Sequence, residues 1–112
     1  MEENNIPEKH EERLSIVGSS VKIKLSNKVM FNDVEIKEIS LDFGFLTGVD
    51  LCEAECNFRD RFYNPIPDAN YSMAYQAAVA AKASKLPYEL ILELKQKDFS
   101  AVTGATKGFL MR

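Results

Sequence analysis

Apolar residues in this chain change their period once, and that change constrains the fold more than any other feature. Val21, Ile23 and Leu25 alternate with Lys22, Lys24 and Ser26, and Val29 and Phe31 repeat the alternation. A half-buried strand requires that spacing. After Gly44 the apolar positions recur three and four residues apart, as on one face of a helix. The expected fold is therefore α+β: an N-terminal antiparallel β-hairpin or small sheet followed by about four α-helices.

Details of the strand region refine that expectation. Asn32-Asp33 suits a two-residue turn, because both side chains tolerate positive φ and hydrogen-bond to nearby backbone. Val34 and Ile36 then share one face, whereas Ile39, Leu41 and Phe43 have moved to odd positions. A β-bulge near Lys37-Glu38 would keep both sets facing one core.

The helical half carries its own start and stop signals. Thr47 is placed to cap a helix, with Asp50 able to reach back to the cap and Leu46 and Leu51 at the staple positions. That helix should run to about Phe62, with Leu51, Phe58 and Phe62 near one another and Pro65 and Pro67 forming a stiff loop after it. Asp68 or Asn70 can cap the next helix, from about Tyr71 to Ser84, on which Ala74, Ala77, Ala78 and Ala81 form a narrow strip beside Tyr71 and Tyr75. Leu86-Pro87 interrupts it and begins a short helix bearing Leu90, Ile91 and Leu94. Asp98 or Ser100 can start a last helix with Val102, Ala105 or Thr106, and Phe109 along one side. Gly104 and Gly108 each cost that helix about 1 kcal/mol relative to Ala. It should be marginal alone, and either packs tightly against a neighbour or forms fully in a complex.

At 112 residues the chain suits one domain with a modest core. Residues 1–20 read as a flexible arm closed by Gly18-Ser19-Ser20, with a short helix around Glu8 to Ile16 as the alternative, and residues 21–112 read as the single domain. Glu2, Glu3, Glu8, Glu11 and Glu12 outweigh Lys9 and Arg13, so the arm carries the whole net charge of -3. No segment concentrates Lys and Arg as a nucleic-acid binder does. No apolar run approaches the roughly 18 residues of a membrane span, and Met1 to Arg13 lacks the pattern of a secretory signal. The expected location is the cytoplasm, with neither nucleic acid nor membrane as a partner.

Catalytic and metal chemistry find little support. Cys52 and Cys56 stand four apart in a helix, poorly placed for a disulfide, and read as structural apolar residues. His10 has no Cys or His at a ligand spacing. Gly104-Ala105-Thr106-Lys107-Gly108 lacks the spacing and the preceding strand of a phosphate loop, and Ser15, Ser40 and Ser100 lack a nucleophile setting. The expectation is a non-enzymatic chain with no catalytic residue, cofactor or metal. Tyr71, Tyr75, Phe99 and Phe109 could line a groove for a partner helix, although aromatic residues at helical spacing in a small chain usually form its core. The closing Phe109-Leu110-Met111-Arg112 is the stronger contact candidate, since apolar chain ends are often left unburied. Candidate partner-binding residues are thus Tyr71, Tyr75, Phe109, Leu110 and Met111.

One ordered series of short motifs spans most of the chain: Val21-Lys22-Ile23-Lys24-Leu25, Leu41-Asp42-Phe43, Leu46-Thr47-Gly48-Val49-Asp50, Tyr71 through Ala83, Leu86-Pro87, Asp98-Phe99 and Phe109-Leu110. In order and spacing it resembles the small tail assembly chaperones of long-tailed bacteriophages and prophages, apart from Asn32-Asp33 where that family favours a Gly-containing turn. The resemblance implies binding of the tape measure protein, whose apolar helical surface would be shielded until tube subunits replace the chaperone. It also implies no nucleotide or metal, a place in the bacterial host cytoplasm, and absence from the mature virion. Further partners it suggests are the tail tube protein, a longer frameshifted form of the same chain, and other copies in a homo-oligomer. The rival expectation is a non-enzymatic structural or adaptor protein retained in a tail or another assembly.

Overall fold

A computed structural model of the chain describes residues 14–62 and 69–111. Strands β1 (Leu14–Val17), β2 (Ser20–Phe31) and β3 (Val34–Asp42) form an antiparallel sheet in sequence order. Four α-helices follow among the described residues: α1 (Gly48–Arg61), α2 (Met73–Ser84), α3 (Tyr88–Leu92) and α4 (Gln96–Leu110), with a 3-10 turn at Ala69–Tyr71. The fold is α+β, as the change of period predicts.

β1 is a correction to the reading of residues 1–20 as one loose arm. Leu14 to Val17 pair with Ile23 to Ser20, and Gly18 (φ 60°) with Ser19 makes the tight connection. Backbone pairing to a long neighbouring strand supplies what a short isolated helix lacks. The remainder of the proposed arm, and the alternative helix before Leu14, lie outside the described residues.

Asn32 (φ 53°) and Asp33 (φ 65°) both occupy the left-handed region, as a two-residue hairpin turn of type I′ demands. Further along the hairpin, Lys24 pairs with Glu38 and Val29 with Ile36, so Leu25 to Lys28 stand opposite Lys37 alone. This irregularity restores Ile36 and Ile39 to one face, as expected. The larger excursion, however, belongs to β2, where alternation alone gave no sign of it.

α1 begins with the expected capping box: Asp50 N–H donates to Thr47 Oγ1 at 3.4 Å, and Thr47 N–H donates to Asp50 Oδ2 at 2.8 Å. Its inward face is Ala54 and Phe58, with Leu51 and Leu46 packed beside them. Phe62 is exposed and Cys52 and Cys56 point outward, which corrects the reading of the cysteines as buried hydrophobes. They stand two residues either side of Ala54, about 200° around the helix from it. The Pro65-Pro67 loop and Asp68 lie outside the described residues.

α2 is the central element. Its cap is Ser72, whose Oγ accepts from Tyr75 N–H, and Tyr71 and Asn70 instead belong to the 3-10 turn. Ala77, Ala80, Ala81 and Ala83 face the main core with Val21, Ile23, Ile39, Leu41 and Phe43 of the sheet region, while Ala78, Val79 and Tyr75 face Ala54 and Phe58 of α1. The Ala-rich run is therefore broader than a strip: a helix pressed from two sides needs small side chains around most of its circumference. α2 ends in a Schellman motif, with Lys85 at φ 60° and Leu86 N–H donating to Ala81 C=O at 3.1 Å.

α3 follows Pro87 and places Leu90 and Ile91 in the main core; Leu94 after it is buried there too. α4 starts at Gln96, ahead of both proposed caps, and covers the sheet with Val102 and the half-buried Phe99 and Phe109.

Candidate functional site

The residues singled out as partner contacts divide into buried and exposed sets. The Phe109 ring stacks on Phe43 with centroids 4.5 Å apart and planes 10° from parallel. Leu110 packs on the cluster around Phe58, and Tyr75 is buried there, edge-on to the Phe58 ring at 6.3 Å. These three side chains help hold α4, α2, α1 and the sheet together. Burial raises the Tyr75 hydroxyl above its usual pKa, with Glu55 and Cys52 adding to the effect.

Tyr71 and Met111 remain exposed at 59% and 44%, and Met73, beside the α2 cap, is exposed at 51%. Lys107 Nζ lies 5.6 Å from the Tyr71 ring centroid, and Met111 is the residue one helical turn beyond Lys107. The 3-10 turn and the end of α4 therefore present an apolar surface edged by one cation. Of the original candidates, only Tyr71 and Met111 are exposed to a partner; Phe109 and Leu110 are half-buried.

Asp98 is the buried polar group that sequence reading placed on the wrong duty. It stands in the first turn of α4, where its charge complements the helix dipole, but the helix begins before it. Its side chain is fully buried, and its carboxylate accepts from Ser26 N–H at 2.8 and 3.0 Å and from Asn27 N–H at 3.1 Å. Those donors belong to the β2 excursion, which has no partners from β3 there. The carboxylate thus satisfies backbone groups that the sheet ladder leaves over.

Further polar links join the helices at their surface. Arg61 pairs with Glu89, joining α1 to α3, and Lys82 Nζ lies 2.6 Å from Glu53, joining α2 to α1. Tyr88 Oη donates to Ala74 C=O at 2.7 Å. Burial pushes the Tyr88 pKa up to about 12, Arg61 opposing the rise and Glu89 adding to it.

A cleft escaped sequence reasoning. It lies between the distal hairpin and α3, encloses about 510 Å3, and is lined by Val29, Met30, Phe31, Pro87, Leu90, Glu89 and Glu93. The one signal for it is that strand alternation continues to the turn at Asn32, farther than a small helical layer can cover.

Among the described residues no group of three or more His, Cys, Asp or Glu could hold a metal ion, and no helix is long and apolar enough to cross a membrane. His10 lies outside the described residues. No family model matches the chain, and neither the curated proteins nor the solved structures contain a match to it.

Proposed function

We propose that this protein is a tail assembly chaperone, a non-enzymatic module that binds the tape measure protein of a long-tailed phage or prophage and keeps it soluble during tail morphogenesis. The observation carrying this reading is that a domain with a closed core still exposes large apolar side chains, with Tyr71, Met73 and Met111 at the 3-10 turn and the ends of α2 and α4 among them. Exposed apolar side chains gathered in this way suit partner binding.

The motif series supports the same reading through its order and spacing, and several of its members fall where elements meet. Leu41-Asp42-Phe43 closes β3, Thr47 and Asp50 cap α1, and Leu86-Pro87 separates α2 from α3. The chaperone acts in the host cytoplasm without nucleotide or metal, in several copies along one extended partner, and leaves before the particle is complete. Tube subunits and a longer form of the same chain would compete for, or share, the contact.

Quantitative mass spectrometry of finished particles against the lysate that produced them tests the reading. A chaperone is abundant in the lysate and depleted from the particles. Retention at a fixed ratio to the tube protein overturns the proposal in favour of a structural adaptor.

A further inference from the structure

α4 is held firmly at its two ends and weakly along its middle. At the first turn Asp98 binds the backbone of Ser26 and Asn27, and at the last turn Phe109 stacks on Phe43. Between them α4 buries Val102, Thr103 and Thr106. Both hydroxyls donate within the helix, Thr103 Oγ1 to Phe99 C=O at 3.0 Å and Thr106 Oγ1 to Val102 C=O at 2.9 Å. Those bonds stay with α4 wherever it goes and add nothing to its hold on α2 or the sheet.

The helix also has little of its own to keep it formed. Lys95 caps it without a side-chain hydrogen bond, and Asp98, placed where an acidic residue reaches back to a cap, is committed to β2 instead. Thr103 and Thr106 are β-branched, and Gly104 and Gly108 face solvent. All four lower helix propensity relative to Ala. α4 thus depends on docking for its structure, yet two of its buried positions carry hydroxyls.

The seat beneath it is apolar. α4 packs on β2 and α2, over a core that includes Val21, Ile23, Leu41 and Phe43 from the sheet region and Ala77 and Ala80 from α2. Small α2 side chains let a helix approach, and the sheet supplies a broad apolar floor. A helix with Val where α4 has Thr103 and Thr106 would fill similar volume with apolar groups and bury more apolar surface.

We propose that α4 is a displaceable cover, and that the groove it fills between the sheet and α2 takes an amphipathic helix of a partner protein in its place. Glu93 to Lys95, which join α4 to α3, form the hinge. The partner's identity rests on the chaperone reading, whereas the groove's fit to a helix comes from α4 itself.

Amide hydrogen exchange of the full chain, without and with a labelled peptide, tests this. The peptide carries the Gln96–Leu110 sequence with Thr103→Val, Thr106→Val, Gly104→Ala and Gly108→Ala. In the free protein, amides from Phe99 to Thr106 exchange at least about tenfold faster than those of Ile23, Leu41 and Val79, through an opening that leaves the rest of the core closed. The peptide binds one to one by anisotropy and sizing, and strips α4 of its remaining protection. Gly104→Ala with Gly108→Ala in the protein favours the closed state and weakens peptide binding by about tenfold or more. Asp98→Asn loosens the closed state and strengthens binding by about tenfold. Equal exchange rates for α4 and the core overturn the proposal. So do absence of peptide binding, a bound peptide that leaves α4 protected, affinities that neither change moves, or a dimer formed by exchange of α4 between copies. Capture of the tape measure protein by the doubly substituted protein at wild-type strength would overturn the displacement and leave the chaperone reading standing. Peptide binding with the expected responses, but no capture of that protein, would do the reverse.

Discussion

The Asp98 carboxylate accepts both a 2.8 Å and a 3.0 Å hydrogen bond from the backbone N–H of Ser26, tying the first turn of α4 to the irregular stretch of β2. Asn27 N–H donates to the same carboxylate at 3.1 Å. A helix late in the chain thereby fixes the point at which the hairpin departs from its ladder, and with it the direction of the tip that walls the cleft.

Asp98→Asn is expected to lower stability by about 1.5 to 3 kcal/mol, the usual contribution of hydrogen bonds to a charged group. The amide would turn a donor toward donors or leave one N–H without its acceptor. Ser26 and Asn27 are exposed, so water can reach the freed groups and hold the cost near the lower end. Urea unfolding checks this, and a loss below about 0.5 kcal/mol, the range of ordinary surface changes, would contradict it.

This clamp also marks where sequence reading stops. The hairpin turn at Asn32-Asp33, the Thr47-Asp50 capping box and the Pro87 break are legible because each depends on residues within a few positions of one another. Asp98 and Ser26 are 72 positions apart, and an acidic residue near a helix start reads first as a cap. A core role for Phe109 is legible from its helical spacing, but its stacking on Phe43 and the packing of Leu110 depend on how α4 crosses the sheet and α2. Composition describes only the usual burial of cysteine, whereas Ala54 and Phe58 decide which face of α1 turns inward and leave Cys52 and Cys56 exposed. For the cleft, the apolar tip was visible as strand alternation, but the pairing of that tip with Glu89 and Glu93 is a product of the tertiary fold.

Phe109→Ala is expected to cost about 2 to 4 kcal/mol, combining lost burial with the aromatic pair to Phe43. Met111→Ser, at an exposed position, should stay within about 0.5 kcal/mol. Thermal unfolding separates the two, at about 4 to 8 °C per kcal/mol for a domain near this size. Equal, small effects would show that the end of α4 does not rest on the sheet.

Gly104→Ala and Gly108→Ala should each stabilise the free protein by about 1 kcal/mol. Both positions are exposed, and an added Cβ at either would meet nothing within 4 Å. The tight packing that the two glycines suggested is absent around them, so only their helix cost remains. A fall in unfolding midpoint for either variant would contradict this placement.

Tyr88 gives stability a dependence on alkaline pH. Its folded pKa, about 12, lies above the ordinary value of 10.0, so the unfolded chain gives up the phenolic proton first. The contribution is fully present below pH 10 and is lost as pH rises from about 10 to about 12. Tyr88→Phe removes the titrating hydroxyl and the hydrogen bond to Ala74 C=O, and should show a shallower decline than wild type over that interval. Urea midpoints measured across it check the difference, and parallel declines would contradict the assignment.

Co-expression with a tape measure protein, the long helical partner that the chaperone reading requires, followed by affinity capture and sizing, tests that reading most directly. The folded chain should be used with Tyr71→Ser and Met111→Ser in parallel, since deleting Phe109 to Arg112 would also remove a ring that the sheet stacks against. The predicted result is a soluble long protein carrying several copies of this chain, with fewer copies held by the Tyr71 and Met111 variants. A long protein that stays insoluble while this chain elutes alone would contradict the account.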